Sequence, residues 1–535
     1  MKKKVIKETK SLCPICLKQV KAKIIEKNGK IWLEKECKKH GKFEEIYYED
    51  TKMYYKFRKF ATRDRSIKTA FVKSKGNCPY DCGLCNQHKS FTALANIVVT
   101  NRCDLRCFYC FYYAREGKKI YEPSLEQIRE MLLTLKKERP IEPTAVQLTG
   151  GEPLLREDIL DIIKLCKEMG FQHVQLNTNG IRLAFNKNLV RKIKEYGCNT
   201  LYLSFDGVSK ETNPKNHWEV PFLLKNCREA GLKSIVLVPT LIRGMNSQEI
   251  GEIINFALNN LDVVRGVNFQ PISFVGRASK RERERQRITI PGAIEEIERQ
   301  TNGAIGKEDF YPVPFVTPLS DFASLLSGKE KYKFTTHFAC GAATYVFLDR
   351  KRGKVIPITR FVDVEGLMEY IKEKNAEMKK GKSKRLTALK VLLNINKFID
   401  KEKKPKDLNL SAIFKSILIK RNYKALSKFH YQSLFIGMMH FMDAYNYDIE
   451  RVQRCCIHYL TPSPKAPIVP FCSFNCLTFK KEKIEDEYGL TEEEYKKLHP
   501  KWKGFDQDVY KRDVKKLERS RIYRECYGKL KNFFE

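Results

Sequence analysis

A short apolar run, Ile97-Val-Val-Thr100, leads into Cys103-Asp-Leu-Arg-Cys107-Phe-Tyr-Cys110. No other feature limits the fold as much. Three cysteines spaced C-x3-C-x2-C can bind three irons of a [4Fe–4S] cube and leave the fourth iron without a protein ligand. That open iron can take a small molecule. The aromatic Tyr109 stands directly before the last cysteine. Part of a zinc site is the competing reading. A structural zinc site, however, wants four closed ligands, usually as two C-x2-C-like pairs.

The rest of the chain must accommodate this loop. With 535 residues, 42% of them hydrophobic, it has material for two to four domains and a large core. No apolar run reaches membrane-spanning length, and MKKKVIKETK opens no signal segment. A cytoplasmic protein is expected. Eighteen cysteines in such a chain argue for metal sites over disulfides. Most fall in groups: 13/16/37, 78/82/85, 103/107/110 and 455/456/472/476, with Cys340 apart. Cys166, Cys198, Cys227 and Cys526 read as small buried apolar residues. The net charge of +37 points to an anionic partner: nucleic acid, a phosphorylated metabolite or an anionic membrane surface.

Residues 1–60 form a first module. Cys13-Pro-Ile-Cys16 and Cys37-Lys-Lys-His40 are two knuckles around a hairpin that turns at Asn28-Gly29. Three thiolates and an imidazole suit a tetrahedral ion, zinc or a rubredoxin-like iron. Residues 61–94 carry Cys78-Pro-Tyr-Asp-Cys82-Gly-Leu-Cys85, read as an auxiliary iron–sulfur cluster with an unknown fourth ligand. From 95 to 280, strand and helix patterns alternate through six strands, the count of a partial (β/α)6 barrel, in which chemistry gathers at the C-terminal strand ends. Residues 281–480 read as a helical, Cys-rich domain. Within it, 371–430 holds 18 lysines and arginines against 5 acids, and 434–445 is an apolar helix candidate. Either this is an ordinary helical subdomain or its apolar and basic side chains face a membrane surface. Residues 481–535 form a charged helical tail that packs on the outside.

The cysteine loop with its aromatic, followed some 40 residues on by Gly150-Gly151-Glu152-Pro153 after the second strand, resembles the radical S-adenosylmethionine (SAM) superfamily. The resemblance implies that the open iron chelates SAM and that the cluster splits it to a 5′-deoxyadenosyl radical. Glu152 then receives the SAM ammonium, with Gly150 and Gly151 allowing close approach. Asn177 and Asn179, after strand three, offer polar groups to sugar or carboxylate. Ser204 and Asp206, after strand four, meet the ribose, Arg243 pairs with the carboxylate, and Gln270 flanks adenine, with Tyr109 beside the cluster. Cys340-Gly341 before a hairpin resembles the opening of auxiliary-cluster extensions in such enzymes. The cysteine usually found after that hairpin is replaced here by Pro357-Ile-Thr-Arg360. A second auxiliary cluster is therefore expected from Cys340, Cys455 or Cys456, Cys472 and Cys476.

The full order of motifs resembles a family of archaeal radical SAM proteins over nearly the whole chain. That family includes the tetraether lipid synthases, and related sequences carry the label of 7,8-dihydro-6-hydroxymethylpterin methyltransferases. The resemblance implies SAM, three [4Fe–4S] clusters and one mononuclear zinc or iron. It implies an enzyme that joins the terminal methyl carbons of phytanyl chains of an archaeal ether lipid. Such an enzyme would sit peripherally on the inner face of the membrane, supplied by a low-potential electron donor. The alternative is methyl transfer to a reduced pterin. A nucleic-acid partner is not expected, since no RNA-binding motif is visible.

Overall fold

The computed structural model describes residues 3–62, 64–112, 119–275, 278–406, 408 and 432–535. Two sheets organise them. The first is antiparallel, in the order β1 (Lys4–Leu12), β2 (Gln19–Lys27), β3 (Lys30–Cys37) and β4 (Gly41–Tyr48). Asn28 and Gly29 join β2 to β3 with φ of 55° and 70°. Two successive positive φ values match the twist of a tight hairpin, and Asn-Gly adopts them at low cost.

The second sheet contains the expected parallel strands: β5 (Leu94–Thr100), β6 (Ala145–Gly150), β7 (His173–Thr178), β8 (Thr200–Ser204) and β9 (Ile235–Val238). After the two-residue β10 (Thr240–Leu241) comes β11 (Val264–Pro271), hydrogen-bonded to β9. Helices connect them, among them Leu125–Leu135, whose Ser124 and Gln127 form a reciprocal capping box. This is the α/β architecture of a partial (β/α)6 barrel, with helices covering a parallel sheet.

The region after residue 280 departs from its helical expectation. It adds β12 (Tyr311–Pro312), β13 (Gly341–Asp349), β14 (Lys354–Pro357), β15 (Ser433–Met439), β16 (Ile457–Leu460) and β17 (Ile468–Pro470) to the same sheet. β15 runs parallel to β11 and antiparallel to β13, while β16 runs parallel to β5. The first half of the apolar run expected as a helix over 434–445 is therefore a strand, and the rest is irregular. The strand is sheathed by strands on both sides, so its residues show no alternation, and a short, wholly buried run has no period to separate strand from helix. Helices do form at Val364–Lys379 and Lys384–Asn394. The basic run over 409–431 lies outside the described residues.

The tail is less peripheral than expected. Asp508 and Glu122 hold the buried Arg102 guanidinium, at 3.1 and 2.8 Å, one residue before the first cysteine of the loop. Of the four isolated cysteines, Cys166, Cys198 and Cys227 are buried in the main apolar core, as expected, and Cys526 is half-buried against it. No helix among the described residues is long and apolar enough to cross a membrane.

The N-terminal sheet docks on the segment after β15. Lys35 donates to the Ala444 carbonyl at 2.6 Å, and Thr9 and Tyr47 both donate to Asp448, at 2.8 and 2.9 Å. Glu45 pairs with Arg283 and Arg287, and Arg287 also pairs with Asp443 at 2.9 Å.

Candidate active site

A cavity of about 520 Å³ opens at the C-terminal ends of the barrel strands. Cys103, Cys107 and Cys110 all line it, and none is in a disulfide. Three free thiols on one cavity wall suit a cube with one open iron.

The Gly-Gly-Glu-Pro turn sits against this loop, for a reason more specific than ligand approach. Gly150 has φ of +139°, and a Cβ there would lie 2.1 Å from the Thr100 carbonyl oxygen; one on Gly151 would lie 2.0 Å from that of Arg102. The close neighbour is the protein's own backbone. Gly151 and Glu152 donate to those two carbonyls, each at 2.8 Å. The two glycines thus stitch β6 to the start of the cysteine loop.

Glu152 is buried. Its carboxylate accepts from Thr178 Oγ1 at 2.7 Å, Asn179 N at 2.8 Å and Leu154 N at 3.1 Å. Burial, then the nearby Asp104 carboxylate, pushes it up to about 8. Asn179 donates its amide to Asp104 at 2.6 Å, and Asn177 donates to Thr149 at 2.9 Å. Tyr109, Gly150, Gly151, Glu152, Asn177, Asn179, Ser204 and Gln270 all line the cavity.

Two expected contact residues do not. Asp206 lies behind the wall. It accepts from the Tyr109 hydroxyl and from Thr240 N, and pairs with Lys215 at 2.7 Å. Arg243 turns away to Glu49 of the N-terminal module and to the Arg287 carbonyl. The cation that lines the cavity near the cysteine loop is Lys215, 5.5 Å from the Tyr109 ring centre. One lysine in a chain with 101 basic residues carries no sequence signal.

Cys340, Cys455, Cys456 and Cys472 line the same cavity from the opposite side. Arg451, fully buried, donates to Cys340 Sγ at 3.3 Å and to the His440 carbonyl at 2.7 Å, and no carboxylate among the described residues pairs with it. A buried guanidinium needs a counter-charge, which thiolates on this wall would provide. Cys476 does not line the cavity; its thiol donates to the Met442 carbonyl at 2.8 Å. One helical turn apart within Phe471–Cys476, Cys472 and Cys476 share a face, Cys472 also meeting Met442, at its N, 3.4 Å away, while Ser473 faces another way, 3.5 Å from Cys82. Cys78, Cys82 and Cys85 are buried behind that helix, outside the cavity.

A row of amides crosses the barrel floor. The register places Asn96, Gln147 and Gln175 side by side on β5, β6 and β7. Gln147 donates to Asn96 at 2.7 Å, and Gln175 donates to Gln147. Asn268 and Gln270 both donate to the Tyr202 hydroxyl. All six line the cavity. The signal was present in sequence, since Val146-Gln147-Leu148 and Val174-Gln175-Leu176 each set an amide inside an apolar strand.

In the N-terminal module, one ligand atom from each of Cys13, Cys16, Cys37 and His40 falls within 4.8 Å of the others. Nδ1 is the histidine atom that faces the thiols, 3.5 Å from Cys13 and 3.6 Å from Cys37.

Comparison with known proteins agrees with this geometry. Residues 97–257 match the radical SAM superfamily, and residues 5–49 match the HMPTM N-terminal zinc ribbon domain. A 7,8-dihydro-6-hydroxymethylpterin dimethyltransferase of Methanocaldococcus jannaschii is 48% identical over 501 residues, spanning 92% of this chain and 97% of the relative. A GTP 3′,8-cyclase of Limosilactobacillus fermentum is 31% identical over 199 residues, 35% of this chain and 58% of that protein. Among solved structures, HydG, a maturase of the [FeFe]-hydrogenase, aligns at 14% identity with a TM-score of 0.33, covering 40% of this chain and 50% of that one. The chain is a radical SAM enzyme with an N-terminal zinc ribbon, and it belongs to the family of its Methanocaldococcus relative.

Proposed function

We propose that this enzyme binds SAM over Cys103, Cys107 and Cys110, splits it to a hydrogen-abstracting 5′-deoxyadenosyl radical and methionine, and transfers methyl groups from a separate methyl donor, a further SAM or another one-carbon carrier, to a reduced pterin, a 7,8-dihydro-6-hydroxymethylpterin, in the same cavity. The amide row carries the reading. Asn96, Gln147 and Gln175, with Tyr202, Asn268 and Gln270, present donors and acceptors toward one buried space, as the edge of a pterin ring requires. The printed name of the relative that spans the chain supports the same substrate.

When bound, the iron–sulfur cluster on the three cysteines supplies reductive cleavage of SAM. The protein's own residues bind and orient. Glu152, fixed by Thr178 and Asn179, receives the SAM ammonium; Lys215 takes the carboxylate, in place of Arg243. Ser204, Asn177 and Gln270 flank the nucleoside. Asp206 acts from behind by positioning Tyr109 and Lys215. Cys340, Cys472 and a thiol of the Cys455-Cys456 pair hold a second cluster across the cavity, and Cys78, Cys82 and Cys85 a third. The ribbon holds one zinc. A low-potential electron donor reduces the enzyme from outside.

Coupling of phytanyl ends remains a second reading, favoured by two observations. Phe435, Met438, Met439 and Phe441 make one cavity wall apolar. On the helix Lys384–Asn394, Leu386, Leu389 and Leu393 are 61, 49 and 70% exposed on one face, among Lys384, Arg385 and Lys390. Such a face suits an anionic lipid surface.

The test is a product assay. Oxygen-free, reconstituted enzyme with SAM and reductant is expected to release 5′-deoxyadenosine, and Cys103→Ala to abolish it. Cleavage surviving in that variant would overturn the SAM site. Offered the dihydropterin, the enzyme is expected to give a product heavier by whole methyl groups. An unchanged pterin together with a joined diether lipid would replace this reading with the second.

A further inference from the structure

One histidine on the cavity wall is unlike the others. His440 is 2% exposed, and neither of its ring nitrogens has a hydrogen-bond partner among the described residues. Other buried histidines are engaged: His88 and His458 meet each other at 3.1 Å, His337 accepts from Ala339 N at 3.2 Å, and His217 meets the Tyr523 hydroxyl at 2.8 Å. A buried polar group left unpaired is costly, so an imidazole with two free nitrogens calls for an occupant.

The strand register says where that occupant sits. β13 and β15 pair antiparallel with Gly341 opposite Met439. Cys340 and His440 are the next pair, and His440 N donates to the Cys340 carbonyl at 3.0 Å. Directly opposed residues send their side chains to the same face, with Cβ atoms about 4.5–5.5 Å apart. The thiol and the imidazole therefore face one space, and both line the cavity. Arg451, which packs here, gives its hydrogens to the Cys340 sulfur and the His440 carbonyl, and none to the ring.

The thiols on this wall are not equivalent. Cys456 meets the Tyr332 and Thr336 side chains, whereas Cys340 and Cys472 flank Arg451. We propose that His440 is an iron ligand, completing a donor set of Cys340, Cys455 and Cys472, with Cys456 outside it. This rests on the reading that a second cluster occupies this wall. A neutral imidazole in place of a thiolate makes the cluster less negative and raises its reduction potential.

The experiment uses full-length protein carrying Cys103, Cys107 and Cys110→Ala, reconstituted with iron and sulfide and labelled with ¹⁵N-histidine. After reduction, the spin signal that Cys340→Ala removes is expected to carry a strong ¹⁵N coupling. His440→Gln is expected to lose it, and His440→Cys to retain the iron with a more negative potential. Cys456→Ala is expected to leave iron content and coupling unchanged. If Cys340→Ala removes no iron, the cluster reading itself falls. If the cluster is present but its signal carries no histidine coupling, or keeps it in His440→Gln, the ligand assignment alone falls.

Discussion

The zinc ribbon and the cavity solve opposite problems with the same residue type. In the ribbon, two knuckles separated by one hairpin bring four donors within 4.8 Å of each other, and the site is closed. Around the cavity, thiols come from loops after β5, before β13, before β16 and from the helix Phe471–Cys476, and they face about 520 Å³ of space. A short-range site is built by its own sheet and can contribute folding energy when the metal binds. A long-range site needs the barrel folded first. Its cysteines are held by neighbouring backbone, as in the two glycine stitches, so their removal should cost chemistry more than stability.

The largest effect should break the ribbon. Cys37→Ser leaves three donors, and one metal per chain should be lost by elemental analysis. The melting temperature should fall with the loss of several kcal/mol, on the order of 5, since small zinc domains draw much of their stability from the ion. Cys103→Ala should leave melting within about 1 kcal/mol while abolishing SAM cleavage. Equal destabilisation by the two variants would contradict the comparison.

Below the cavity wall, Glu138 is fully buried and accepts from Thr92 N at 2.6 Å; Thr92 in turn meets His458 on β16 at 2.8 Å. Burial pushes this carboxyl from 4.5 up to about 7. The folded state then binds its proton more tightly than the unfolded chain does. Stability is greatest below about pH 4.5 and declines as pH rises toward 7, by up to about 3 kcal/mol. Glu138→Gln removes this dependence. Its melting temperature relative to the parent should rise between pH 5 and pH 8; a constant difference would refute the assignment.

Gly151→Ala tests the stitch. The added Cβ would sit 2.0 Å from the Arg102 carbonyl oxygen, so β6 and the cysteine loop must separate. About 1–3 kcal/mol of stability should be lost, with SAM cleavage reduced at least tenfold and zinc content unchanged. Full activity would mean that the loop tolerates displacement.

These sites differ in how far they were legible in sequence. The cysteine loop, the Gly-Gly-Glu-Pro turn and the ribbon knuckles are local patterns, and their chemistry needs only neighbours in the chain. The six parallel strands followed from alternation. What escaped depends on tertiary pairing. β15 looked helical because it is buried between two strands, and His440 gains meaning only through its register with Cys340. Lys215 and Arg451 are two basic residues among 101, distinguished by burial alone.

Arg243 shows the same limit at the smallest energetic scale. Its place after strand five suggested a SAM carboxylate, yet its guanidinium closes on Glu49, which also accepts from Thr289 N and Oγ1, each at 2.8 Å. It therefore clasps the zinc ribbon to the barrel. The arginine side chain is 37% exposed, so the pair is screened and should contribute under about 1 kcal/mol. Arg243→Ala should lower the melting temperature slightly and leave the SAM dissociation constant unchanged in equilibrium binding, whereas Lys215→Ala should weaken SAM at least tenfold. A tenfold loss of SAM affinity in Arg243→Ala would return the carboxylate contact to Arg243 and erase the separation between ribbon and cavity at this point.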